Sequence, residues 1–148
     1  MKLSFLIFLI FIYYGVNAQS ISVKKGNEVI LVKADKSESC NKELVFMIVE
    51  EMPSYKGGTE ILEKALNELI KVDSKLKGEI FVWATINCEG KAFGFQIVKF
   101  LDKELEEKII SELVKLQNWE AGKQRGKKVD TIKNIRLNIR KGRITVLN

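Results

Sequence analysis

Apolar and polar positions recur along the chain with two periods, and the switches between them lay out its elements. Ile80, Val82, Ala84 and Ile86 fall on one side of Gly78–Ile86, with Phe81, Trp83 and Thr85 on the other, the two-residue period of a strand. Residues 91–100 read as a second strand with Phe93, Phe95 and Ile97 on one face. Ile135, Leu137 and Ile139 face inward in the last strand, and Asn134, Arg136, Asn138 and Arg140 face outward. A helical period takes over twice. Ile61, Leu62, Ala65, Leu66, Leu69 and Ile70 form one apolar face, entered through Gly57, Gly58 and Thr59, with Glu60 early and Lys71 late to suit the helix dipole. Leu105, Ile109, Ile110, Leu113, Val114 and Leu116 form the other. Asp102 is placed to cap it, Glu104, Glu106 and Glu107 fill its first turn, and Lys115 falls in its last.

Between these elements the turn chemistry is explicit. Asn87-Cys88-Glu89-Gly90 joins the two central strands, Gly90 supplying a positive φ and Asn87 bonding its own backbone. A glycine turn, Gly122 to Gly126, precedes the last strand. Leu44-Val45-Phe46-Met47-Ile48-Val49 is an apolar run of strand length, which Pro53 and an extended Met52 bring to a close. Strand, helix, hairpin, helix, strand predicts an α+β fold with two helices packed on one face of a small antiparallel sheet, occupying residues 44–148.

Residues 1–18 read as a cleaved signal peptide: Lys2, then an apolar run to Tyr14, then Val16-Asn17-Ala18 as the cleavage site. Leu3 to Val16 spans 14 residues, short of the roughly 17–25 that cross a bilayer, so no membrane span is expected in the mature chain. The expected location is the periplasm. Residues 19–43 read as a polar lead-in around Val29-Ile30-Leu31-Val32.

Composition narrows the chemistry. The chain has 148 residues and no His, which excludes Ser-His-Asp and Cys-His triads and His-ligated zinc. Glu50-Glu51 and Glu106-Glu107 point to different sides of their elements and offer no acid/base pair, so no catalysis and no cofactor or metal are expected. Cys40 and Cys88, 48 apart, have no metal-ligand spacing. In an oxidising compartment they are a candidate disulfide from lead-in to hairpin turn; the other reading is a passive thiol in a linker and one in a turn. The net charge of +6 resides in the last part of the chain. Lys123, Arg125, Lys127, Lys128, Lys133, Arg136, Arg140, Lys141 and Arg143 there face a single acid, Asp130. No aromatic residue follows Trp119 to stack on bases, so nucleic acid is not the expected partner.

Four stretches, in order, resemble the TonB C-terminal domain family in its Bacteroidetes-type form. Val49 to Gly58, with Pro53, Gly57 and Gly58, is similar to the family's entry segment, and Gly78-Glu79-Ile80-Phe81-Val82 with Asn87 to Lys91 to its core hairpin. Leu101-Asp102-Lys103-Glu104 resembles the start of its second helix. Trp119-Glu120-Ala121-Gly122-Lys123-Gln124-Arg125-Gly126-Lys127-Lys128-Val129 resembles its W-x-P-G-K-x-x-G-x-x-V signature, Ala121 standing where Pro is usual.

The resemblance implies a non-enzymatic domain that adds an extended segment of a TonB-dependent outer-membrane transporter, or of another envelope protein, to the edge of its last strand. The site residues are then Arg125, Lys128, Lys133, Asn134, Arg136, Asn138 and Arg140, in the last strand and the turn before it. The same residues suit a second reading, in which the charges protect an edge from aggregation. A structural envelope module that dimerises by strand pairing, or binds acidic surfaces, is the functional alternative. With one Pro the chain shows no Pro-rich spacer, and neither Tyr nor Pro occurs between Leu69 and Lys77, where the family places a Tyr-Pro motif. Coupling to a proton-motive complex by this chain alone is therefore not expected.

Overall fold

Residues 39–40 and 44–147 are described by a computed structural model. The expected signal peptide and most of the expected lead-in fall outside them. In chain order the elements are β1 (Ser54–Tyr55), α1 (Thr59–Leu69), β2 (Gly78–Ile86), β3 (Ala92–Lys99), α2 (Lys103–Lys115), β4 (Trp119–Glu120), β5 (Gly122–Gln124), β6 (Lys127–Val129), β7 (Thr131–Arg140) and β8 (Arg143–Leu147). The fold is α+β. Its main sheet is antiparallel, in the order β3-β2-β7-β8. Ile80, Val82, Ala84 and Ile86 of β2, Ile135, Leu137 and Ile139 of β7 and Ile144 of β8 line one buried face. Both helices cover that face with Leu62 and Leu66 from α1 and Leu105, Ile109, Ile110 and Leu113 from α2. Each such side chain contributes about 1.5–3 kcal/mol by leaving water.

The start of α2 follows its sequence closely. Asp102 Oδ1 accepts from the Leu105 N–H at 2.9 Å. Glu106 then reaches back to accept from the N–H groups of Asp102 and Leu101, satisfying donors that a helix N-terminus leaves orphaned. Burial pushes its carboxyl pKa up. α1 is preceded by its N-cap Gly58, whose φ of 86° favours glycine. Its stripe is narrower than expected: Leu62, Leu66 and Ile70 are buried, but Ile61 and Leu69 are about half exposed, and Lys71 lies beyond the last turn.

Three expectations need correction. The apolar run 44–49 is not a core strand: Phe46 alone forms a parallel bridge, to Thr131, while Ile48 is 85% exposed and only Val49 is buried. β3 does not keep one face throughout. Thr85 pairs with Phe93 and Trp83 with Gln96, so a bulge around Gly94, at φ 63°, turns Phe93 to the side opposite Phe95 and Ile97. The third concerns the strand read as last. β7 is followed by a two-residue turn, Lys141 at φ 52° and Gly142 at φ 75°, and by β8. β7 is therefore flanked by β2 along its length and by β8 along Arg136–Arg140, and is not the sheet edge.

The stretches Val49 to Gly58 and Trp119 to Val129 meet in space. Tyr55 pairs with Trp119 and Ser54 with Glu120, while Glu51 exchanges main-chain hydrogen bonds with Lys123 and its carboxylate meets Lys123 Nζ at 2.6 Å. The Tyr55 and Trp119 rings make an edge-to-face contact at 5.1 Å. Gly90 packs against this pair. A Cβ there would lie 2.4 Å from the Trp119 carbonyl oxygen, so the hairpin can sit this close only with glycine. Among the described residues no helix is long and apolar enough to cross a membrane.

Candidate functional site

Antiparallel strands point alternate main-chain groups to opposite neighbours, which fixes where the sheet has free margin. In β8 the groups of Ile144 and Val146 point away from β7. Helix α1 takes both groups of Ile144 and the N–H of Val146. The Asn67 side chain donates to the Ile144 carbonyl at 2.7 Å and accepts from its N–H at 3.0 Å, and Glu63 Oε2 accepts from the Val146 N–H at 3.0 Å. That edge is sealed against an incoming strand. At the other edge, Gln117 pairs in the same bidentate way with Ala92 of β3. The bulge at Gly94 then breaks the register that a further strand would need.

The first half of β7 differs. Its even-numbered residues direct their main chain toward the β8 side, as the bonds from Ile132 N–H to Phe46 O and from Phe46 N–H to Asp130 O show. β8 resumes contact at Arg136, opposite Leu147. Asn134 lies between. No described residue hydrogen-bonds its outward N–H and C=O, so among the described residues one ladder position of an interior strand is left open.

Beneath that gap is a cavity of about 310 Å³, walled by Tyr55, Leu62, Trp119, Ile135 and Val146. Lys133 lines it too. Its strand partner is Ala84 of the buried face, so it stands on the core side of the sheet. Burial pushes its ammonium pKa down, and no described acid lies within ion-pair distance.

The residues expected to form one site are thus divided among three places. Lys133 is in the cavity. Asn134, Arg136, Asn138 and Arg140 alternate to the opposite face of the sheet, where the Arg136 guanidinium and the Lys99 ammonium stack over the Phe81 ring at 5.2 and 4.8 Å, although Asn134 and Arg136 also border the cavity. Arg125 and Lys128 belong to the β5–β6 hairpin. There the Arg125 N–H donates to Glu50 at 3.0 Å, and Lys128 is exposed. The inward position of Lys133 could have been read from the two-residue period of Ile135, Leu137 and Ile139. Nothing local in the sequence pointed to Asn67 and Glu63 as the seal on β8.

Cys40 and Cys88 are joined in a disulfide. Asp130, buried at the start of β7, accepts from the main-chain N–H of both cysteines at 2.9 Å and from the Ser39 hydroxyl. This carboxylate and the bridge together pin the chain that carries Phe46 to the margin of β7. The two sulfurs and the Asp130 carboxylate lie within 4.8 Å of one another, but the bridge uses both sulfurs, and no ion is assigned there. The chain matches no known family model, no curated protein and no solved structure.

Proposed function

We propose that the chain is a non-enzymatic envelope binding domain. It takes up an extended segment of a partner by strand pairing, in the manner of the TonB C-terminal domain it resembles. The partner is an outer-membrane transporter, and the place of pairing is the outer margin of β7 at Asn134, not a terminal edge. The carrying observation is the open ladder position at Asn134, between the Phe46 bridge and the end of β8. Main-chain pairing there supplies affinity independent of sequence, and side chains entering the cavity on one face and meeting Arg136 on the other tune it. Export by the expected signal peptide places the domain where such segments are presented.

The test is a titration of isotope-labelled protein with peptides from the N-termini of outer-membrane transporters, followed on backbone amides. Shifts centred on Lys133–Ile135 support the proposal. Shifts centred on Ile144 and Val146, or none at millimolar peptide, overturn it. Self-association that perturbs the same amides without peptide supports the dimerising structural module instead.

A further inference from the structure

Lys133 is an expensive residue to place where it stands. Every other residue of β7 on the core-facing side is apolar or, at Thr131, a small hydroxyl bonded to the Val129 carbonyl. A lysine there loses hydration, and among the described residues no acid lies within ion-pair distance to offset it. Of the acids near the cavity walls in sequence, Glu120 accepts from Ser54, Glu63 holds the Val146 N–H and Glu51 holds Lys123, while Glu60, beside Thr59, is exposed and makes no ion pair with Lys133. Tyr55, Leu62, Trp119, Ile135 and Val146 form apolar walls, and Ser54, Thr59, Asn134 and Arg136 border the cavity as well.

We propose that this cavity is a carboxylate-binding subsite, built to take one glutamate side chain of the bound segment. The inference rests on strand pairing at Asn134 for its register. A residue opposite Asn134 shares the open face with it, so the residue next along an incoming strand points to the core side, beside Lys133. Glutamate suits the space better than aspartate. Its two methylenes cover Leu62 and Trp119, and its carboxylate reaches the ammonium, supplying an ion pair that no described residue gives Lys133. An apolar segment would fill the volume and leave the cation unpaired. The subsite thereby discriminates between segments that main-chain pairing alone accepts equally.

Two arms of one experiment separate this subsite from the strand-pairing reading. In the first, full-length labelled protein is titrated with sodium butyrate, and with butyramide at matched ionic strength, while the Lys133 side-chain carbons and the Trp119 indole N–H are observed. Butyrate is expected to give a saturable shift at both, absent at Trp119 in Lys133→Met, and butyramide none. No saturable shift with butyrate, or equal shifts with butyramide, overturns the subsite. The second arm uses a capped nine-residue peptide of alternating Val and Thr with a central Glu or Gln. At least fivefold tighter binding of the Glu form is expected in the native chain, and equal binding in Lys133→Met; discrimination that survives in the variant overturns the assignment. If butyrate shifts Lys133 while neither peptide moves the Asn134 amide, the carboxylate subsite stands and strand pairing falls.

Discussion

The margin of β8 and the margin of β7 at Asn134 adjoin along the same side of the sheet, and the chain treats them in opposite ways. At β8, two side chains of α1 stand in for a missing strand: Asn67 supplies both a donor and an acceptor to Ile144, and Glu63 takes the next outward N–H. At Asn134 nothing described takes that part, although the neighbouring positions on each side are filled. An exposed ladder invites pairing with other chains, and proteins ordinarily cover it. On the proposed function, this contrast is what directs a partner strand to Asn134 and away from β8.

The contrast can be broken from either end, and removing the clamp on the Phe46 side has the largest expected effect. In Cys40→Ser/Cys88→Ser, loss of the cross-link costs about 2–4 kcal/mol in urea unfolding. The Phe46 bridge loosens with it, so that Ile132 joins Asn134 among the fast-exchanging amides. If Ile132 stays protected, Asp130 alone holds that segment. Next is Asn67→Leu, which leaves the Ile144 N–H and C=O without partners and costs about 1–3 kcal/mol. It also opens β8, so hydrogen exchange at Ile144 accelerates. An unchanged Ile144 would mean that α1 seals nothing.

Two smaller effects concern pH. The folded pKa of Glu106 lies above its unfolded value because burial disfavours the carboxylate. The folded state then holds its proton longer, so this contribution to stability is present at low pH and is lost as pH rises through the folded pKa. Glu106→Gln keeps an acceptor for Leu101 and Asp102 and is expected to remove that slope from acid-range unfolding curves. Lys133 has the opposite linkage. Its lowered pKa makes the charged form a cost at neutral pH, relieved as pH rises through the alkaline range. Lys133→Met is therefore expected to raise Tm modestly while impairing binding, the trade made where a residue serves a site and not the fold. A fall in Tm would show that Lys133 already has a counter-charge in the free domain.

Where local pattern and long-range packing agreed, the elements were legible from the residues alone. β2 follows its alternation from Gly78 to Ile86, and Asp102 caps α2 where a cap was expected. Phe93 misled because the bulge at Gly94 shifts the period by one residue, and a single glycine in an apolar run does not announce which side it resets. Residues 44–49 have the composition of a strand but find only one position of β7 to pair with, so composition exceeded opportunity. The Lys141-Gly142 turn was visible as a glycine beside alternating residues, and reading it would have moved the edge from β7 to β8. The candidate site was half legible: Lys133 and Asn134 were named from the sequence, but that they stand on opposite faces beside a gap depends on the register of β7 against β8 and on α1 lying over β8.

Native-state hydrogen exchange, comparing the amides of Asn134, Ile144 and Val146 with and without a bound transporter peptide, tests the central claim most directly. In the free domain Asn134 is expected to exchange at near-unprotected rates while Ile144 and Val146 are slowed by their bonds to α1, and saturating peptide is expected to slow Asn134 alone. An Asn134 amide already protected in the free domain, or peptide protection that appears at Ile144 and Val146 instead, would contradict it.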